Sequence, residues 1–397
     1  MKQIKGMQLG AVLVAMLIVS MAFVSAVSAK NESDIVTNNY VGIEKTREHA
    51  TIALSEFVTA GSPGIKGADW KGAKINPEPL TIYDINGKRL FYQYSVEKEG
   101  KSIGSIKTSA SKVLGSSIVT IGLKPLALDS DVALQMAKNN AKENYKDSEI
   151  TSTTLVSYSY PKIGIMVQLR DIKTNKEQRM FIDAYDYSNI PDRMPGDNGF
   201  GVWSLYESIT EEEKVKRISA WEENDKKFRE IAEKKVSNGN DSSKTVVTTQ
   251  SISKILDVTL FAQEQSNYCA PAVGQMIADY HGVSHTQTYI AGRMHTTSNG
   301  TNITNQVGYY RNDLGMTNSN AYSVFWSDMV NMINADRPFD SLIMNSAGSH
   351  TRTVAGYYES GFKLIGIYDP YPVNQGDAYW EDFDFWNLDE HRNIYVY

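Results

Sequence analysis

The chain of 397 residues contains a single cysteine, Cys269, so it cannot form an intrachain disulfide. It has no excess of positive charge, since 40 Lys and Arg face 46 Asp and Glu, and this balance disfavours nucleic acid as a main partner. No glycine-rich phosphate-binding motif occurs. Beyond the first 29 residues, no apolar run is long enough to span a membrane. A lone thiol in such a chain needs an explanation other than cross-linking.

The first 29 residues have the pattern of an export signal. Lys2 and Lys5 precede an apolar run from Leu9 to Val27, and small residues up to Ala29 suit cleavage by a signal peptidase. The run is also close to the ~20 residues that span a bilayer, so an uncleaved N-terminal anchor in a membrane is the alternative. Either interpretation predicts that the remainder of the protein is secreted or held at the cell surface.

Residues 30–200 are predicted to form an α+β region of two helix-plus-meander units. In the first, residues 30–128, a helix over 43–59 precedes strands joined at Asn86-Gly87, a strong hairpin signal. In the second, residues 129–200, a helix begins at Asp129 and three strands follow, the last containing Met180-Phe181-Ile182-Asp183-Ala184. This second unit resembles the PepSY module, which occurs in propeptides of secreted peptidases and inhibits them or assists their folding. A plain α+β domain without a regulatory role is the alternative.

A charged helix and a polar stretch follow. Residues 201–235 contain Thr210 and Glu213 at capping-box spacing, which predicts the start of a connector helix. Residues 236–253 are rich in Ser, Asn and Thr and are predicted to be a flexible linker that a protease could cut. The C-terminal domain would then comprise residues 254–397.

Cys269 has the sequence context of a reactive thiol. Val273, Met276, Ile277 and Tyr280 recur at helical spacing, which predicts a helix over about 270–281 with Cys269 at its N-terminus. The positive end of the helix dipole stabilises a thiolate. Although a lone cysteine is often a small buried apolar residue, this position favours a nucleophile.

A cysteine nucleophile needs a base and a group that orients the base. His350 follows a turn of small residues and opens a strand over 351–358, and the next strand, 362–368, ends at Asp369. Counting outward from the turn at 359–361 puts His350 and Asp369 opposite each other, within hydrogen-bonding reach.

The order of Cys269, His350 and Asp369 resembles the papain clan, and in particular the bacteriocin-processing, double-glycine leader peptidases and their secreted relatives. The resemblance covers about residues 255–385. It implies a papain-like domain in which the nucleophile helix packs on an antiparallel sheet. It also implies an oxyanion-binding glutamine six residues before the cysteine, and Gln263 occupies that position; Gln265 is a weaker match.

The chain departs from the family at Ala270, where the family usually has glycine. The added methyl group could crowd the substrate near the oxyanion site. Since no transporter segments accompany the domain, the double-glycine substrate is not implied.

These observations predict an exported cysteine peptidase that acts on a peptide or protein substrate, with the N-terminal region as a propeptide-like inhibitor or folding aid. No cofactor and no metal are expected, because His281 and His285 could share a zinc ion only if the helix continued past Gly282. Two other classes stay open, an inactive papain-fold surface binding protein and an amidase or acyl transferase with the same triad. The sequence indicates neither the cleavage preference nor the oligomeric state.

Overall fold

One large, almost entirely antiparallel β-sheet runs through the part of the chain that the structure describes. The structure is a computed structural model, and it describes residues 34–64, 70–193, 201–239, 252–345, 348–360, 362–386 and 391–397. Within those ranges, no helix is both long and apolar enough to cross a membrane. The predicted export signal, residues 1–29, lies outside the described residues.

The strands are β1 Lys74–Ile75, β2 Leu80–Asp84, β3 Arg89–Lys98, β4 Lys101–Ser109, β5 Ile118–Gly122, β6 Ser148–Ser159, β7 Lys162–Asp171, β8 Glu177–Asp183, β9 Asn189–Ile190, β10 Ile252–Ile255, β11 Asn320–Ser323, β12 Phe339–Asn345, β13 Gly348–Glu359, β14 Lys363–Asp369, β15 Asp377–Asp382 and β16 His391–Tyr395.

The α-helices are α1 Ile35–Asn38, α2 Ile43–Thr59, α3 Ser130–Asn144, α4 Leu205–Ser208, α5 Glu211–Gly239, α6 Cys269–Tyr280, α7 Gln287–Arg293, α8 Ile303–Asn312 and α9 Trp326–Asn334. Two short 3-10 helices occupy Lys112–Leu114 and Asp384–Trp386.

The order of the strands joins the two halves of the chain. The sheet runs β11-β16-β12-β13-β14-β15-β5-β4-β3-β2-β6-β7-β8-β9, with β1 beside β3 and β10 beside β13. Only the β2–β6 pair is parallel among these described pairs. At the junction, β15 from the C-terminal region pairs with β5 from the N-terminal region, and Trp380 stands opposite Ile121. The predicted α+β class is therefore confirmed.

In the N-terminal region, α2 and then α3 each precede antiparallel strands. The turn at Asn86-Gly87 has three residues rather than the expected two: the Asp84 amide donates to the Lys88 carbonyl at 2.8 Å, and Gly87 has a φ of 83°. A left-handed residue at this place suits a three-residue hairpin loop. Helix α3 begins where Asp129 accepts a hydrogen bond from the amide of Val132. The division of this region into two PepSY-like units stays a prediction.

Helix α5 packs on the N-terminal region. Its start is capped where Thr210 Oγ1 accepts from the Glu213 amide at 3.2 Å. Phe228 is buried and stacks on the ring of His49 from α2, with ring centres 4.4 Å apart. The helix continues to Gly239 and β10 begins at Ile252, so both ends of the predicted linker belong to regular elements. Its centre, residues 240–251, lies outside the described residues.

The C-terminal core lies between α6 and the sheet. Val273, Met276 and Ile277 on α6 are fully buried and share one hydrophobic cluster with Val354 on β13 and Ile367 on β14. The spacing of the apolar residues on α6 gives the helix one broad buried face. This packing fixes the start of α6 beside the first residues of β13.

Trp380 gives a test of the junction between the two regions. Its side chain is fully buried, it packs among residues of both halves, and its Nε1 donates to the carbonyl of Pro63 at 2.9 Å. We expect Trp380→Ala to lower the free energy of unfolding by about 3–5 kcal/mol, since a large side chain is lost from a closed core. Urea unfolding followed by circular dichroism measures the change.

The control is Phe325→Ala, because Phe325 is 60% exposed and should change the stability by less than about 0.5 kcal/mol. If Trp380→Ala costs no more than this control, the junction does not contribute to the stability of the fold.

Candidate active site

Cys269 lies at the N-terminus of α6. Tyr268 occupies the cap position without a capping side-chain hydrogen bond, so no side chain neutralises the positive end of the helix at which the thiol lies. The residue is 8% exposed. Ala270 is buried in the hydrophobic core with Val273 and Met276, so its methyl group is taken up by packing. The expectation that this methyl group crowds the substrate near the oxyanion site stays a prediction.

His350 and Asp369 meet on neighbouring strands. The Nε2 atom of His350 lies 2.7 Å from Oδ1 of Asp369, and both side chains are 2% exposed. The turn count predicted that the two residues stand directly opposite each other, and in this respect it was wrong. The register of β13 and β14 shifts by one residue between Val354 and Gly356. Beyond this shift Thr353 pairs with Tyr368, so the next residue of β14, Asp369, stands opposite Arg352. His350 is two residues from Arg352 and thus on the same face of the strand, so the contact is diagonal.

The hydrogen-bond partners of His350 fix which ring nitrogen carries its hydrogen. A carboxylate can only accept a hydrogen bond, so Nε2 of His350 carries the hydrogen that it donates to Asp369. The other ring nitrogen, Nδ1, is buried and has no hydrogen bond of normal geometry. When the ring is neutral, Nδ1 is therefore its basic atom.

The thiol and the imidazole shift each other's pKa in opposite directions. Burial alone would raise the pKa of the Cys269 thiol, but the His350 ring, the Lys162 ammonium and the Thr351 amide together lower it below its ordinary value. Burial alone would lower the pKa of His350, but Asp369 and Cys269 raise it above its ordinary value. These directions favour a thiolate–imidazolium pair.

Asp369 is held by groups that the sequence did not indicate. The Tyr371 amide donates to Oδ1 at 2.9 Å, and the Tyr379 hydroxyl donates to Oδ2 at 2.8 Å. Burial tends to raise the pKa of Asp369, but His350, Arg352 and the Tyr371 amide hold it below its ordinary value. Charged residues inside strands, such as Arg352 two residues after His350 and Glu381 on β15, were the signal of a buried polar site.

Gln263 is fixed beside the aspartate. Its backbone N–H donates to the backbone carbonyl of Pro370, and its backbone carbonyl accepts from the backbone N–H of Asn374, both at 2.9 Å. Its side chain is buried and Nε2 donates to the carbonyl of Gln265 at 2.9 Å. The Gln265 side chain is exposed. An amide nitrogen has two hydrogens, so Nε2 retains one donor beyond this bond.

The N-terminal region contacts the site through the turn that joins β6 to β7, taken here as residues 160–163 and so including the first two residues of β7. Lys162 lies 6.0 Å from the centre of the Tyr371 ring, and that ring lies edge-on to His350 at 6.4 Å. The Ile163 amide donates to the Tyr371 hydroxyl at 3.3 Å, and this hydroxyl donates to Asp183 Oδ2 at 2.8 Å. Sequence reasoning did not find this contact, because it joins segments some 200 residues apart.

In the described ranges, no group of three or more His, Cys, Asp or Glu side chains could hold a metal ion. His285 donates or accepts through Nδ1 at 2.9 Å from the Tyr309 hydroxyl.

The C-terminal region matches a known family. Residues 255–393, about a third of the chain, match the model of the Peptidase_C39 like family. This match supports a cysteine peptidase as the class of protein to which the C-terminal region is related. No curated protein matches the chain.

Among solved structures, the chain is similar to the peptidase domain of Streptococcus ComA, described as a bi-functional ABC transporter involved in a quorum-sensing pathway. The identity is 18%, and the alignment covers 35% of this chain and 98% of that domain, with a TM-score of 0.29.

The ion pair predicts fast alkylation of Cys269 in mild acid. A free thiol with a pKa near 8.5 is ionised to only about 0.3% at pH 6. Because the Cys269 pKa is lowered, its reaction with iodoacetamide should persist below pH 8.5 and fall only when the pH drops through the lowered value. Mass spectrometry gives the rate, and the single cysteine makes every label a label of Cys269.

The control is His350→Ala, which removes the first of the groups that lower the thiol's pKa. We expect the rate at pH 6 to fall about tenfold or more, with recovery above pH 9. A wild-type thiol whose rate at pH 6, relative to its rate at pH 9.5, is no higher than that of free cysteine would contradict the ion pair.

Proposed function

We propose that the protein is an exported cysteine peptidase that hydrolyses peptide bonds of a peptide or protein substrate, with Cys269 as nucleophile, His350 as acid and base, and Asp369 as the group that orients His350. The observation that carries the proposal is the alignment of a helix-terminal thiol, an imidazole and a buried carboxylate, with 2.7 Å between His350 and Asp369. A nucleophile, a base in contact with it and a group that orients the base are the three parts of a catalytic triad.

In the first half of the reaction, the Cys269 thiolate attacks the carbonyl carbon of the substrate and the carbonyl electrons move to oxygen. The imidazolium of His350 gives its Nδ1 proton to the leaving amine as the C–N bond breaks, which leaves a thioester on Cys269. In the second half, neutral Nδ1 takes a proton from water while the hydroxide attacks the thioester, and the thiolate leaves. Asp369 keeps the hydrogen on Nε2 throughout.

Two donors are proposed to stabilise the oxyanion. They are the amide of Cys269, at the start of α6, and the remaining N–H of Gln263 Nε2. The family resemblance assigns the role to Gln263, and its burial beside Pro370 fixes the side chain before substrate arrives. A donor fixed in advance is effective because it does not reorganise during the reaction.

The N-terminal region is proposed to act as a propeptide-like inhibitor or folding aid. Inhibition is supported by the low exposure of all three triad residues and by the turn at Lys162 and Ile163, which is bonded to Tyr371 beside His350. A folding aid is supported by the shared sheet, since β5 supplies the neighbour of β15.

Hydrolysis of a quenched fluorescent protein substrate under reducing conditions tests the enzyme. We expect turnover by the wild-type chain to disappear in Cys269→Ala. Gln263→Ala should lower kcat by about 100- to 1,000-fold, the usual effect of losing one oxyanion donor, while alkylation of Cys269 at pH 6 changes less than about twofold. An unchanged kcat would remove Gln263 from the mechanism.

The same assay separates the competing classes. A folded chain whose Cys269 alkylates rapidly but that hydrolyses no substrate, either as the wild type or as the Tyr371→Phe variant described below, would indicate an acyl transferase. A chain with neither property would indicate a binding protein that retains only the fold.

Inhibition is tested with Tyr371→Phe. This change removes the hydroxyl that links the turn and Asp183 but keeps the ring beside His350 and the amide that donates to Asp369. If the turn restricts access, the full chain should turn over substrate about tenfold faster, since a hydrogen bond to a charged group contributes about 1.5–3 kcal/mol. The rise must vanish when Cys269→Ala is added.

An unchanged turnover together with a lower refolding yield would instead support the folding aid. That result would exclude inhibition through this turn.

A further inference from the structure

A continuous set of buried polar side chains extends from Asp369 away from His350. The Tyr379 hydroxyl donates to Oδ2 of Asp369 at 2.8 Å, and Arg352 Nη1 donates to that same hydroxyl oxygen at 3.2 Å. Glu381 accepts from Nη1 of Arg352 at 2.7 and 2.9 Å, and Tyr160 of the N-terminal region donates to Glu381 at 3.0 Å. The mechanism above uses none of these four side chains.

The direction of each bond in this set is fixed by chemistry. Arginine can only donate, and an ionised carboxylate can only accept. The Tyr379 oxygen therefore accepts from Arg352, and its single hydrogen is directed to Asp369. Burial and the neighbouring carboxylates raise the pKa of Tyr379 well above its ordinary value, so the hydroxyl keeps that hydrogen.

The orientation of Arg352 is fixed in turn. Arg352 and Glu381 are both completely buried, and their pairing compensates for the loss of hydration of each charge. On the sheet, Tyr379 and Glu381 are two residues apart on β15, so they share a face. Their partners Asp369 and Arg352 lie on the next two strands.

We propose that Tyr379 is a positioning residue of the active site: its hydroxyl, oriented by the Arg352–Glu381 pair, fixes the Asp369 carboxylate so that Oδ1 holds His350. This inference rests on the proposed function, because it assigns a role in the same triad. It predicts that the thiolate–imidazolium pair depends on a side chain that touches neither the thiol nor the imidazole.

The test is Tyr379→Phe in the full chain, which keeps the ring and removes only the hydroxyl. Without this donor, Oδ2 of Asp369 is left unpaired and, apart from His350, only the Tyr371 amide holds the carboxylate, through Oδ1. The carboxylate can then rotate about that single bond, so the orientation of His350 is less tightly fixed. We expect alkylation of Cys269 by iodoacetamide to slow about tenfold at pH 6 and to be unchanged at pH 9.5, where the thiol ionises without help. The ratio of the two rates cancels any change in access to the thiol.

Two further variants separate positioning from general loosening. Tyr206→Phe also removes the hydroxyl of a buried tyrosine, which donates to the carbonyl of Arg89 at 2.7 Å in the N-terminal region, and it should leave the ratio unchanged. In an Asp369→Ala background, Tyr379→Phe should have no further effect, because the group through which it acts is gone. Where turnover is measured, kcat should fall about tenfold with KM changed less than twofold.

The outcomes also distinguish this proposal from the one on which it rests. If the wild-type thiol reacts readily at pH 6 and the ratio of its rates at pH 6 and pH 9.5 is the same in Tyr379→Phe, the positioning role alone is overturned. Equal shifts in Tyr379→Phe and Tyr206→Phe, or an undiminished shift in the Asp369→Ala background, also overturn it. A wild-type thiol whose rate at pH 6, relative to pH 9.5, is no higher than that of free cysteine overturns the proposed function itself.

Discussion

Charged side chains are buried away from water beside the candidate active site, and the arrangement of the strands that carry them depends on pairing these charges. His350, Arg352, Asp369 and Glu381 all have exposures of 2% or less. A buried charge without a partner costs several kcal/mol, so each group has to meet an opposite charge or a donor at close range. The strands β13, β14 and β15 meet this requirement by presenting alternate residues on one face, which brings basic and acidic side chains together across neighbouring strands.

Continuity of the sheet has consequences for the relation between the two regions. The β5–β15 pairing and the shared core around Trp380 hold the N-terminal region against the C-terminal region. A cut within the predicted linker would leave both of these contacts in place. Separation of the two halves would therefore require the exposure of buried apolar surface, which is unfavourable in water.

The turn at Lys162 combines two effects that differ in sign for catalysis. It lies beside Tyr371, whose ring is edge-on to His350. The ammonium of Lys162 is also one of the groups that lower the pKa of the Cys269 thiol. In the proposed peptidase, the same segment would both restrict access to Cys269 and keep its thiol ionised.

Local patterns in the sequence determined the elements that carry the chemistry. The predicted helix over 43–59 coincides with α2, the helix that begins at Cys269 follows from apolar spacing, and the strands around His350 and Asp369 follow from one turn signal. Tertiary structure alone decided the diagonal register of His350 and Asp369, the role of Tyr379 and the contact of Tyr160 with Glu381. The physical reason is that helix and turn signals act over a few residues. Strand register and the pairing of buried charges depend on residues that lie up to some 220 positions apart.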